Sequence, residues 1–192
     1  NENITFRKNT TIVILDIFQA LINKNDYTLV ISDLEHPCIH QIIKYFFPKN
    51  RIVFLKLYDL LLSGDINGIE KKLAENKGEK CIHFFSHVLW NCGIILDVDF
   101  ISNEIKKHSV QNIIIIDGAQ AIGNISFKNL NNINQDKIDF YVGCSHKWLG
   151  TKNILGFAII GNGIIQLNKK LVANLFLKDI FSSYAGDVKK LD

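Results

Sequence analysis

The chain has 192 residues and a net charge of +3, and hydrophobic residues make up 47% of it. That suffices for one domain with a sizeable core and is too apolar for a disordered chain. The small positive charge is spread out, with no basic run and no aromatic–basic interleaving, so nothing points to nucleic acid.

In chain order, apolar runs alternate with helix-like stretches. The pattern predicts a helix over 10–24 (TTIVILDIFQALINK) and a strand over 28–33 (TLVISD). A helix over 33–46, a strand over 51–57, a helix over 66–77 and a strand over 80–88 follow. Then come a helix over 97–109 and strands over 112–117, 138–143 and 155–161. A helix over 163–179 closes the series. Most of the strands are continuously apolar, as expected when a sheet is covered on both faces. Crossovers of about 20 residues favour parallel β–α–β units. The expectation is one three-layer α/β/α domain over residues 1–192 with a mostly parallel sheet, which binds ligands beyond the carboxyl ends of its strands.

The start, NENITFRKN, is polar and unlike a signal peptide. No apolar run reaches the ~18 residues of a membrane span, so no membrane role is expected. Cys38, Cys81, Cys92 and Cys144 form no CxxC pair. They read as free thiols in a reducing cytosol, with Cys81 and Cys92 packing as small apolar groups. The sequence has no methionine, even at position 1, and ends on GDVKKLD without a clear stop. Both features predict a segment of a longer protein.

Chemistry gathers at two strand ends. Asp117 follows four isoleucines in IIIIDGAQ, and three readings stay open from the local sequence. It could cap a short helix. It could hold magnesium in a nucleotide hydrolase, but the GxxxxGK[ST] loop this needs is absent. It could also pair with a protonated ring nitrogen of a cofactor. Lys147, in CSHKWL, emerges from another apolar strand, where a lysine is either simply exposed or a nucleophile toward an aldehyde cofactor. Such a cofactor needs phosphate donors, which Thr10 and Thr11 could supply from a helix N-terminus. It also needs a flat group against its ring, which His36 in SDLEHP could supply. His83 and His87 share a strand face but would sit roughly 13 Å apart, and no HExxH glutamate accompanies them, so no metal site is expected. His87 reads as structural, and His40 and His108 as surface or helix-face residues.

The motifs FRKNTT (6–11), SDLEHP (32–37), SHVLWNCGIILDV (86–98), DGAQAIG (117–123) and DFYVGCSHKWLG (139–150) occur in that order, followed by LGF (155–157). In this the chain resembles the class V aminotransferase group of pyridoxal-phosphate (PLP) enzymes. These include cysteine desulfurases, selenocysteine lyases and isopenicillin-N-epimerase-like proteins, and the HKWL form is most similar to the last. The resemblance implies the large domain of fold type I, with a seven-stranded sheet and homodimers that share the active site. It implies chemistry at the α- or β-carbon of an amino acid, of transferase, lyase or isomerase type.

By the same resemblance Lys147 would form the Schiff base with the cofactor and later shuttle a proton. Asp117 would hold the ring nitrogen protonated, Gln120 would bond the ring's 3-hydroxyl, and His36 would stack on the ring. Thr11, Thr10 and His146 would bind phosphate, and Cys144 falls where many relatives carry a phosphate-binding serine. Trp90 stands where desulfurases carry an Asn, with Asn91 one place off, and the family's GPKG-like turn reads GTKN (150–153). The family's C-terminal small domain, with its substrate-gripping arginine and the desulfurases' cysteine loop, would lie outside this chain, as would an N-terminal closing segment. The alternative is a non-catalytic remnant that keeps the fold and cofactor binding alone.

Overall fold

The computed structural model describes residues 3–22, 27–64, 68, 71, 80–109, 111–125 and 137–167. In chain order these form β1 (Ile4–Arg7), α1 (Thr10–Ile22), β2 (Thr28–Ser32), α2 (Pro37–Phe46), a 3-10 turn (Lys49–Arg51) and β3 (Ile52–Leu55). Next are α3 (Leu57–Ser63), β4 (Cys81–Ser86), α4 (Val98–His108), β5 (Ile113–Asp117), β6 (Phe140–Cys144), β7 (Gly156–Ile160) and α5 (Asn162–Leu167).

The strands form one seven-stranded sheet in the order β1-β7-β6-β5-β4-β2-β3. From β6 to β3 every pairing is parallel, and β7 runs antiparallel to both of its neighbours. Successive side chains of a strand face opposite ways, and the isoleucine run shows the consequence. Ile113 and Ile115 pack with α1 and α2 on one face, and Ile114 and Ile116 with α3 and α4 on the other. A strand with helices on both sides has no polar face, which is why it reads as a continuous apolar run. The expected three layers are therefore present.

Three local expectations shift. The N-terminal segment, read as merely polar, contributes edge strand β1, paired from Ile4↔Ile159 to Arg7↔Gly156. The strand expected over 51–57 ends at Leu55, and LYDLLLS turns into α3, closed by Gly64 in the left-handed region. The helix expected from residue 33 starts only at Pro37, because proline suits the first helical position while disfavouring helix just before it. This leaves 33–36 as a loop at the carboxyl end of β2. Of the helix expected over 66–77 only residues 68 and 71 are described, and that over 163–179 lies outside the described residues beyond Leu167. Among the described residues no helix is long and apolar enough to cross a membrane.

Candidate active site

The carboxyl ends of β4, β5 and β6 are aligned, with Ser86 beside Asp117 and Asp117 beside Val142. Beyond them opens a cavity of about 360 Å³, within the ~300–1,000 Å³ usual for small-molecule sites. Thr10, Thr11, His36, Asp117, Gln120, His146 and Lys147 all line it. Residues from four separate stretches of sequence thus meet in one place.

Of the open readings of Asp117, the cap is present. Its Oδ1 accepts the Ala119 amide at 2.8 Å, capping the turn that follows. No donor among the described residues meets its other oxygen. Burial pushes its carboxyl above the usual range, opposed by the Ala119 amide and by the positive charge of Lys147. A cationic group placed against the free oxygen would oppose that shift.

At the opposite wall α1 begins. Asn9 caps it, its side chain accepting the Ile12 amide at 2.9 Å and its carbonyl the Val13 amide at 3.2 Å. The amides of Thr10 and Thr11 keep the free positions of the first turn, where an anion is favoured. The Thr10 hydroxyl is committed to the Gly143 carbonyl at 3.2 Å. Gly156 makes this approach possible, since a Cβ there would overlap the Asn9–Thr10 peptide. Nearby, His146 Nδ1 is buried without a hydrogen-bond partner among the described residues. An unmet buried nitrogen beside a helix N-terminus fits a phosphate group.

His36 is the N-cap of α2, its Nδ1 accepting the Cys38 amide at 3.2 Å. The ring N–H in this arrangement is therefore Nε2. Trp90 meets the His36 ring edge-on with centroids 5.0 Å apart and lines the cavity, whereas Asn91 does not. Behind them Glu35 is buried, accepting the Ser86 amide at 3.0 Å and the Ser86 hydroxyl. Burial pushes Glu35 up to about 8, against the pull of both Ser86 bonds. Cys38 also lines the cavity, and burial raises its thiol. The sequence reading gave Asn9, Glu35, Cys38 and Ser86 no role. Only Glu35 carried a signal, as a charge at the end of a buried strand.

Lys147 is exposed on the loop after β6, with no carboxylate at ion-pair distance among the described residues. Ser145 anchors this loop. Its amide donates to the Leu155 carbonyl at 2.9 Å, and its hydroxyl bonds the Asn153 carbonyl and the Leu155 amide. Thr151, in the GTKN turn, donates its amide to the Ser145 carbonyl and its hydroxyl to the Ser145 oxygen at 2.7 Å. A proline would have no amide to give, so this turn is held by its own means. Gln120 accepts the Trp148 indole N–H at 2.9 Å.

Two expectations need correction. Cys144 does not reach the cavity: it is fully buried, with its sulfur 3.8 Å from the Ala119 carbonyl. Cys92 is exposed rather than packed. His87 is structural as expected, its Nδ1 2.8 Å from the Tyr141 hydroxyl. No metal-binding cluster occurs among the described residues. A larger hollow of about 480 Å³, between α1, α2 and β4, is lined chiefly by apolar side chains and has no comparable constellation.

The sequence profile of the family described as aminotransferase class-V matches residues 1–166. Isopenicillin N epimerase of Streptomyces clavuligerus is 32% identical over 85 residues, which are 44% of this chain and 20% of the epimerase. Among solved structures, a cysteine desulfurase from Thermococcus onnurineus superposes at a TM-score of 0.63 with 20% identity, over 86% of this chain and 40% of its own. A NifS-like protein does so at 0.65 with 20% identity, over 85% and 43%. Serine palmitoyltransferase from S. paucimobilis, with a bound PLP–myriocin aldimine, does so at 0.64 with 18% identity, over 85% and 40%. The chain spans about two fifths of these structures' length.

Proposed function

The chain belongs to the aminotransferase class-V family, and from that premise we propose that it is the cofactor-binding large domain of a PLP-dependent enzyme acting on an amino acid at Lys147. PLP is the family's cofactor. The observation that carries the proposal is that one cavity is lined by a lysine, a partly buried acid with a spare oxygen, a histidine with an unmet nitrogen and a helix N-terminus.

When bound, the cofactor supplies an aldehyde that condenses with amines and a ring that draws electrons from a substrate's α-carbon. The chain's own residues then divide the work. Lys147 Nζ would be the amine that holds the cofactor, and as a free amine it would move the substrate's α-proton. The free oxygen of Asp117 holds a proton on the ring nitrogen. The Thr10 and Thr11 amides and His146 Nδ1 receive the phosphate, and His36 with Trp90 closes one side of the ring space and limits water.

The reaction would be of transferase, lyase or epimerase type. We place the active form as a homodimer, in line with the exposed Trp148, Leu149, Ile154 and Leu155 on the loop carrying Lys147. We place it in the cytoplasm, in line with four free cysteines, one of them in the cavity. The test is spectroscopic. PLP added to the purified chain should give the visible band of a lysine-bound cofactor, and Lys147→Ala should abolish it. A chain without the band, or a band that survives Lys147→Ala, overturns the proposal. A band without turnover of any added amino acid would leave a cofactor-binding remnant.

A further inference from the structure

Trp148 is 55% exposed, so core packing does not account for it. Its indole N–H is 2.9 Å from the Gln120 side-chain oxygen. Indole nitrogen is a donor only, so the orientation of this amide is not a free choice. The oxygen must face Trp148, and the NH₂ must take the other end. No acceptor among the described residues meets that NH₂, and Gln120 lines the cavity. The cavity is thereby offered a donor and not an acceptor.

A second contact holds the same two segments together. Gly123 has φ +83, in the left-handed region, and a Cβ there would come within 3.0 Å of the Trp148 carbonyl carbon and the Leu149 amide nitrogen. The 117–123 turn therefore presses directly on the 148–149 backbone. This contact is independent of the Gln120–Trp148 bond and fixes the distance across which that bond forms.

We propose that Trp148 is a positioning residue: it locks the Gln120 amide with its NH₂ toward the cavity, where it stabilises a negatively charged oxygen on the cofactor ring. The inference rests on the PLP reading of the site. An amide free to flip would spend part of its time presenting its own oxygen to that ring oxygen, which repels it. With less stabilisation, the ring oxygen keeps more negative charge, and the nitrogen joining Lys147 to the cofactor holds its proton more tightly.

Trp148→Phe keeps a ring and removes the N–H. In the cofactor-loaded chain, the pH midpoint of the visible band should rise by about half to one unit, as expected for a lost hydrogen bond to a charged group. Gln120→Ala should raise it at least as far, and the double variant should match Gln120→Ala, because Trp148 acts only through Gln120. The cofactor-free chain gives a separate readout. Its two tryptophans yield two indole N–H resonances, and Gln120→Ala should shift only that of Trp148. A midpoint in Trp148→Phe equal to that of the parent, or shifts that add in the double variant, overturns the proposal and leaves the PLP reading intact. A parent chain with no Lys147-dependent band overturns both.

Discussion

Two aspartates, Asp139 buried and Asp117 partly buried, stand at opposite ends of the central strands, and they are treated differently. Asp139, just before β6, accepts the Ile114 amide at 2.8 Å and the Lys106 ammonium at 2.9 Å. Lys106 also donates to the Asn112 carbonyl, which ties this end of the sheet to α4. Asp117, at the carboxyl end of β5, bonds one backbone amide and keeps one oxygen without a protein donor. Burial raises both carboxyls. At Asp139 the protein supplies the opposing cation within its own fold. At Asp117 the charge of Lys147 acts only at a distance, and the second oxygen meets no donor among the described residues. On the proposed function, the difference separates an acid that serves the fold from one that serves a site.

Exchanging each for its amide should break the symmetry in opposite directions, with the larger effect at Asp117. Asp117→Asn cannot hold a proton on the ring nitrogen. In the cofactor-loaded chain the rate of α-proton exchange of added L-alanine or L-cysteine in heavy water should fall by about 10²-fold or more, the scale of a lost electrostatic contact in an active site. Stability in urea should change little, since Asn can still accept the Ala119 amide. An exchange rate that survives, or a collapse of the fold, would put Asp117 in the same class as Asp139.

Asp139→Asn should do the reverse. It leaves the Lys106 ammonium, only 13% exposed, without its counter-charge. Removing one partner of such a pair costs about 3 kcal/mol. Urea unfolding should show this loss, with the cofactor band at its parental position. If the band shifts while stability holds, the division between the two ends of the sheet is wrong.

How much of this was legible in the sequence depends on whether a feature is local. The isoleucines before Asp117 announce a strand buried on both faces, and HKWL after a second such strand announces where Lys147 emerges. Thr10, Thr11 and His36 follow from strand ends and helix starts. Strand β1 was hidden because four residues at a sheet edge, in a polar stretch, carry no periodicity, and only the pairing with β7 makes them a strand. Cys144 was misplaced because a motif position names a residue but not the side of the pleat it faces, and its sulfur turns to the Ala119 carbonyl. The Glu35–Ser86 pair joins residues 51 apart, and the Trp148–Gln120 bond residues 28 apart. Neither partner carries a local mark of the other.

The smallest effect is expected at His83, near the Asp139 end, and it sharpens the comparison from within the core. Its side chain is buried in β4, and neither ring nitrogen has a hydrogen-bond partner among the described residues. Burial holds it down to about 3, helped by the positive charges of Lys106 and His108. The pair that satisfies Asp139 thus makes a second cation beside it costly. His83→Leu removes two unmet polar atoms at similar volume and should gain about 1 kcal/mol at neutral pH. The gain should grow in acid. The folded-state value lies below that of the free side chain, so the parent takes up a proton mainly on unfolding and loses stability as pH falls from about 6.5 toward 3. Glu35 works the other way, since its folded value of about 8 makes the parent lose stability as pH rises from about 4.5 to 8. The two slopes partly cancel in the parent's own curve, so the readout is the difference between the two proteins measured from pH 7 to 5. A difference that stays flat would mean that His83 finds a partner or a proton in the fold, and the amino end of the sheet would then hold an unmet group of its own kind.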